Sequence, residues 1–409
     1  MQKARTLPVV FAIILVDMLG VGILIPVIPL LLTDPAYPYH LGLSMRSGLI
    51  TLGLLMATFP LLQFFATPIL GQLSDRVGRK PVLIISIIGT SLSYVVFAIG
   101  IITKNVPLLF ASRALDGITG GNIAVAQAAI ADSTTPENRA KSFGIIGAAF
   151  GIGFIVGPFL GGKLSDPQLV SWFSATTPFW FAAILAALNV LAVLFYFKET
   201  LVHVRDESMH PLQALINIKK AVLNPRLRAL FTSSFLFQSG FTFFTTFLGV
   251  YLISKFSFNQ GDIGNYFALV GICIVFTQGI VTGFVAKRFT PRAILITTLL
   301  GVSTTIYLLH VVQTVTAFYL VTIPNAMCIG LIMANITALI SREASPREQG
   351  EVLGIGTSVQ ALAGAIPPAI AGFAAASISP AAPLIAASCI ISISALVFIL
   401  FVHPHEETV

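Results

Sequence analysis

Twelve long apolar stretches separated by polar breaks account for most of the 409 residues. They lie at 8–32, 47–71, 81–102, 106–130, 142–163 and 176–197, then at 226–254, 262–287, 291–311, 314–340, 350–374 and 381–402. Each is long enough to cross a hydrocarbon core of roughly 30 Å as a helix. One interruption, Glu199 to Asn224, is far more polar than the rest, with Arg205, Asp206, Glu207, Lys219 and Lys220. The pattern predicts a six-helix half over 1–198, a linker over 199–225 and a second six-helix half over 226–409. Within the linker, Pro211 to Leu223 is expected to form a short helix on the membrane surface. Lys3 and Arg5 ahead of the first stretch imitate a signal peptide. That stretch runs on through Asp17, Pro26 and Pro29 with no small-residue cleavage site, so a retained span is expected.

The halves repeat. GQLSDRVGRKPVLI (Gly71 to Ile84) stands 212 residues before GFVAKRFTPRAILI (Gly283 to Ile296), and TTPENRAKSFGI (Thr134 to Ile145) stands 210 before ASPREQGEVLGI (Ala344 to Ile355). Two repeats around a central loop are a common plan of secondary transporters, with the substrate site between them near the midplane. Charge orients the plan. With the N-terminus inside, cytoplasmic segments hold 18 of the 23 basic residues, the outer loops hold Arg46, Lys104, Lys163 and Lys255, and Arg113 lies within the membrane. Both termini are therefore expected in the cytoplasm.

Composition agrees with a polytopic membrane protein: 56% hydrophobic, 10% charged, mean hydropathy +0.93. Cys273, Cys328 and Cys389 fall within apolar runs, which indicates neither a disulfide framework nor a thiolate metal site. No loop carries a nucleotide cradle, a nucleophile elbow or a metal-ligand cluster. An enzyme is not expected, nor a cofactor, and the net charge of +7 reads as membrane topology and not as nucleic-acid binding.

Charges inside spans are costly and usually functional. Of 16 acids only Asp17 and Asp116 lie well inside spans, both near the midplane, and the rest sit in loops, at helix ends or in the tails. In an unbroken fourth helix, Arg113, Asp116, Gly120, Ala124 and Gln127 share one face while Asn122 points the opposite way. Arg113 and Asp116 at i,i+3 can pair, either as a structural lock or as part of an ion path. Asp17 has no cation near it in sequence and is the expected proton carrier, with a helix–helix hydrogen bond as the plainer alternative. The second half offers Gln238, Gln278, Asn325, Asn335 and Gln360, and a seventh span crowded with Phe231, Phe235, Phe237, Phe241, Phe243, Phe244 and Phe247. Those rings suit either a cavity wall for flat lipophilic molecules or ordinary packing. The candidate substrate cavity takes Gln127, Gln238, Phe241, Asn335 and Gln360.

Gly71-Gln-Leu-Ser-Asp-Arg-Val-Gly-Arg-Lys-Pro-Val-Leu83 resembles the signature loop of the major facilitator superfamily at every position. The glycines suit a tight turn. The resemblance implies that this loop, with Gly71, Asp75, Gly78 and Arg79, latches the halves when the cavity faces outward, with Asp132 as partner. Gly153-Phe-Ile-Val-Gly-Pro-Phe-Leu-Gly-Gly162 looks like the family's antiporter motif. Gly153, Gly157 and Gly161 form a small-residue face for close helix packing, Pro158 permits a bend, and Gly162 follows. Leu109, Arg113, Gly117 and Gly121 fit the fourth-helix motif whose Arg is implicated in proton transfer, with Asp116 where many members have Gln.

The likeness is nearest to twelve-span drug:proton antiporters, tetracycline exporters among them. Two departures concern the particular drug: Ser93, not an acid, precedes Tyr94, and 291–311 holds no acid. The expectation is an all-α membrane protein of two six-helix repeats, acting as a monomer in the bilayer, whose partners are protons and a lipophilic small-molecule substrate that it exports. Alternatives are an exporter of a sugar, amino acid or other metabolite, and a channel or receptor-like facilitator.

Overall fold

Apolar runs in lipid must satisfy every backbone N–H and C=O internally, which favours helices. In a computed structural model describing residues 3–134, 136–201, 210, 212–225, 227–342 and 349–402, every regular element is helical. The linker residues Arg205, Asp206, Glu207 and Pro211, and also Arg226 and Arg347, lie outside the described residues.

The first half holds α1 (Lys3–Thr33), α2 (Met45–Val77), α3 (Arg79–Ile102), α4 (Val106–Thr119), α5 (Asn122–Ser133), α6 (Pro136–Leu164) and α7 (Thr177–Tyr196). A short α8 (Gln213–Leu223) precedes α9 (Arg228–Phe256), α10 (Gln260–Phe276), α11 (Thr282–Val285), α12 (Pro291–Val311), α13 (Val315–Arg342), α14 (Gln349–Ser377) and α15 (Ala382–Phe401). Among the described residues, ten helices are long and apolar enough to cross a membrane. The linker helix is present. It buries Ala214 and Ala221, bonds Asn217 Nδ2 to Ser358 Oγ of α14 at 3.0 Å, and leaves Leu212, Leu215, Ile216, Val222 and Leu223 exposed.

Three elements depart from the expected pattern. The fourth span is not continuous, because it breaks at Gly120–Gly121 into α4 and α5. Both glycines have ψ near 0°, and a Cβ on Gly121 would stand 2.9 Å from the Thr67 Cα of α2. The Gly120 carbonyl accepts from Gln63 Nε2 at 2.8 Å, so a side chain takes over part of the interrupted ladder. The eighth span passes through a π-turn, Thr277–Val281, between α10 and α11. Finally, the signature loop is mostly helix: α2 runs to Val77 and α3 starts at Arg79, leaving Gly78 alone as the turn at φ +102°.

The two halves meet along two seams, α2 on α14 and α6 on α10. At the end of the bundle away from the chain termini, both seams close by glycine crossings. A Cβ on Gly53 would lie 2.8 Å from the Gly372 Cα, and one on Gly162 would lie 3.0 Å from the Gly264 Cα. Gly53 and Gly264 are 211 residues apart and Gly162 and Gly372 are 210 apart, so the repeat relates one crossing to the other. Gly71 and Gly283 are 212 apart, and the π-turn between Gly264 and Gly283 houses the one extra residue.

Candidate functional site

Asp17 lies midway along α1 with 7% of its surface exposed, and neither carboxylate oxygen has a hydrogen-bond partner. It lines a small cavity, with free space for about one water, together with Met18, Val21, Phe59, Gln63, Thr90, Tyr94, Asp116, Gly120 and Ile123. The two intramembrane acids thus share one cavity. Behind Asp116, Arg113 Nη1 stands 3.1 Å from Asp116 Oδ2, close enough for an ion pair although off the hydrogen-bond direction. The guanidinium sits between the Phe97 and Phe59 rings, 5.4 and 5.9 Å from their centroids, and its Nε and Nη2 have no partner. Among the described residues the buried charges are Asp17, Arg79, Arg113 and Asp116, all in the first half.

The break at Gly120–Gly121 changes the expected helix phase. Asn122, placed opposite the charged face in an unbroken helix, is fully buried beside Asp17, close enough to interact though outside hydrogen-bond geometry. Ile123 reaches the cavity, whereas Ala124 and Gln127 are half-buried and absent from its lining. A second small, mostly apolar cavity follows, lined by Leu24, Ile25, Ile28, Pro29, Leu52, Met56, Thr245 and Thr246. Both cavities use the same stripes: Leu52, Met56, Phe59 and Gln63 recur at helical spacing on α2, as do Val21, Leu24 and Ile28 on α1.

Other expected cavity residues lie elsewhere. Asn335 Nδ2 donates to the Leu331 carbonyl at 2.8 Å, Gln238 is half-buried away from both cavities and Gln360 is exposed. Phe241 stacks with Phe237 at 6.1 Å and meets Phe154 of the first half at 6.4 Å. The seventh-span rings, among them Phe231, Phe243, Phe244 and Phe247, fill core contacts, because a helix apolar on all faces at a seam is packed on all faces. The cavity residues given no role by the sequence reading are Phe59, Gln63 and Thr90, besides the apolar Met18, Val21 and Ile123. Tyr94 entered only as the residue after Ser93, yet it lines the cavity with both acids. The α2 stripe was the available signal for the first two.

At the near end, Arg79 is buried and gathers its partners. Nη2 reaches Asp75 at 2.7 Å, Nε reaches Asp132 at 3.0 Å and Nη1 donates to Ser74 Oγ at 2.6 Å. Glu199, which no motif singled out, accepts from the backbone N–H of Arg79 (2.9 Å) and Lys80 (3.0 Å) at the start of α3, and from Thr200 and Leu201. Partial burial pushes the Glu199 carboxyl up, but these backbone donors outweigh it and hold it below the ordinary glutamate range. A Cβ on Gly78 would crowd Glu199 Oε2 at 2.5 Å, so the turn excludes side chains. Gly71 is different: it lies inside α2, and a Cβ there would meet only Ala124 at 3.9 Å.

The glycine motif is a packing device on two sides. Gly157 and Gly161 approach the α1 backbone, where an added Cβ would lie 2.8 Å from the Leu19 carbonyl oxygen and 2.9 Å from the Ile23 Cα respectively. Gly153 does the same one turn earlier, against Leu15 and Leu19, and the Pro158 ring lies against Gly22. Gly162 turns to α10 instead, while Gly151 has nothing within 4 Å.

The two intramembrane acids thus line one cavity walled by α1 to α5 of the first half, with Arg113 paired to Asp116 behind it. The family model described as Major Facilitator Superfamily matches residues 10–366, and again 230–409. The chain belongs to the major facilitator superfamily. It is accordingly a multi-pass integral membrane transporter and not an enzyme. The class C tetracycline resistance protein of Escherichia coli is 31% identical over 372 residues, covering 87% of this chain and 85% of that protein. The crystal structure of the human organic anion transporter MFSD10 (TETRAN) shares the fold with a TM-score of 0.72 at 24% identity, over 97% of this chain and all of that one. A D-xylose-proton symporter shares it at 0.77 and 14% identity, over 98% of both chains.

Proposed function

We propose that this major facilitator superfamily member exports lipophilic small molecules in exchange for protons by alternating access. It would act as a single chain of twelve spans with both termini cytoplasmic. The distribution of Lys and Arg supports that topology, the broken α4–α5 pair counting as the fourth span. The observation that carries the reading is Asp17: a buried carboxylate, unpartnered, on the cavity it shares with Asp116. An exchanger needs a carboxylate that substrate empties on one side and a proton refills on the other. The apolar and aromatic lining, Met18, Val21, Phe59, Tyr94 and Ile123, favours a lipophilic substrate over a sugar, which would require several hydroxyl-pairing groups. Likeness to tetracycline resistance proteins over most of the chain supports drug efflux. The free space in the cavity is only about 10 Å³, room for roughly one water and far below the roughly 300 Å³ at which drug-sized pockets begin, so substrate binding requires a more open form. The Asp75–Arg79–Asp132 network, extended by Glu199, is the proposed latch of the cycle.

The test uses proteoliposomes carrying a pH gradient, with tetracycline and ethidium as probes. Asp17→Asn keeps size and hydrogen-bonding capacity but removes the charge. It is expected to abolish gradient-driven accumulation while leaving counterflow of a neutral substrate intact. Accumulation driven by a proton gradient in Asp17→Asn would move the proton to another residue, Asp116 first.

A further inference from the structure

The linker helix α8 carries its polarity the wrong way round for a helix that meets water. Toward the bundle it turns Gln213, Asn217 and the small Ala214 and Ala221, with Ile218 half-buried. Its five exposed apolar residues, between Leu212 and Leu223, share the opposite arc, about 160° wide at 100° per residue. Lys219 stands near the middle of that arc and Lys220 at its edge, both exposed. A greasy face studded with lysine suits a membrane interface and not bulk water.

Depth, side and charge agree. Asn217 bonds Ser358, nine residues or about 14 Å from the near end of α14. The His210 backbone exchanges two hydrogen bonds with the Gln72 side chain, at 2.7 and 3.4 Å, five residues or about 8 Å from the near end of α2. With 33 residues α2 is about 50 Å long against a hydrocarbon core of about 30 Å, so α8 lies along its flank at headgroup depth and not beneath it. On α14, Ile355 is one turn from Ser358 and shares the helical phase of Phe373, eighteen residues on. Phe373, at the closed far end, is 52% exposed and so faces lipid, whereas Ile355 is buried. The bonded side of α14 thus continues a lipid-facing stripe. From 208 to 228 the sequence holds no acid but has Lys219, Lys220, Arg226 and Arg228.

We propose that α8 is a lipid-seated strap whose outward face takes the acidic phospholipids of the near leaflet. Lys219 and Lys220 meet the phosphates, and the apolar residues reach the acyl boundary. The bonds to Gln72 of α2 and Ser358 of α14 join that face to both halves across their seam. One rigid helix cannot keep both bonds when the near ends of α2 and α14 separate or slide. Lipid that seats α8 therefore favours the spacing seen here, whatever the substrate.

The test is quenching of a single tryptophan by brominated lipid in nanodiscs of phosphatidylcholine and phosphatidylglycerol. W172F/W180F removes both native tryptophans, and Leu215→Trp, one turn from Lys219, reports from the outward face. Ile216→Trp repeats the reading on the same face, should the first reporter disturb the fold. Bromine is carried by each lipid in turn, so the two quenching curves give relative affinity. Both lipids are expected to quench, with phosphatidylglycerol preferred by about fivefold or more, since one lysine near an anionic surface is worth about that factor. K219Q/K220Q is expected to bring the ratio to about one while quenching persists. In a background free of native cysteines, spin labels at Val77→Cys and Thr357→Cys report the near ends of α2 and α14. Their distance distribution is expected to narrow when phosphatidylglycerol is added to phosphatidylcholine discs, and to stay unchanged in K219Q/K220Q. Quenching by neither lipid, equal affinity for both, a preference that survives K219Q/K220Q, or distances indifferent to phosphatidylglycerol would each overturn the proposal.

Discussion

Replacing Gly162 by valine tests how the halves close. In the structure a Cβ at this position would stand 3.0 Å from the Gly264 Cα and closer still to the Gln260 carbonyl oxygen. Non-bonded carbon atoms prefer about 3.5–4.0 Å, so even one methyl pushes α6 and α10 apart by roughly 1 Å, and a branched side chain pushes them further. Overpacking of this kind costs about 1–3 kcal/mol. Each half can stay intact while the crossing opens, so the cost falls on the closed far end and shifts the closed–open equilibrium by about 5- to 150-fold. The assay is the distance between spin labels at Gln168→Cys and Ser254→Cys in a background free of the three native cysteines, read in Gly162→Val and in its repeat-related counterpart Gly53→Val. Both are expected to populate longer far-end distances and to slow transport. Gly151→Val, where nothing lies within 4 Å, serves as the control and is expected to leave the distances unchanged. Wild-type distances and transport in Gly162→Val would refute the seam as the far-end closure.

Two further outcomes follow from the near end. Glu199→Gln is expected to lower thermal stability by about 1 kcal/mol at neutral pH, since the backbone N–H donors then face an uncharged acceptor on a partly exposed group. Because the folded-state pKa lies below the ordinary value of about 4.3, the carboxylate's contribution is complete above that value and disappears as pH falls through the lower one. The gap between wild-type and variant melting temperatures should therefore narrow as pH falls below the ordinary value; a gap that does not narrow between pH 7 and the most acid condition the fold tolerates would contradict this. Gly78→Ala is expected to cost about 1–3 kcal/mol through strain at φ +102° and the contact with Glu199, whereas Gly71→Ala is expected to be near neutral; equal melting temperatures for the two variants would show that the turn is not constrained.

Periodicity and charge were enough to place most helices to within a few residues, because a span is a local property: length, hydropathy and basic flanks. The signature segment at Gly71–Leu83 and the buried charges at Asp17, Arg113 and Asp116 were legible for the same reason. So was the repeat, although its shift from 212 to 210 residues between the two motif pairs acquired a cause only in part, when the π-turn at Thr277–Val281 was found to hold one added residue.

Helical phase across a break was not legible. The position of Asn122 beside Asp17 depends on two glycines pressed against Thr67 and Phe59 of another helix, and an unbroken 100° rotation assigns it to the wrong side. Which aromatics line a path and which fill a seam was undecided for the same reason: Phe59 and Phe241 have the same chemistry and differ only in what packs opposite them. Glu199 had no marker beyond standing after the sixth span, and its four backbone donors come from two chain segments that meet only in the fold. By itself, the sequence determined which segments are helical, which ends carry basic charge and which spans hold a charge at all. Tertiary structure decided which of those charges share a cavity, because that depends on distances between helices, and only packing sets them.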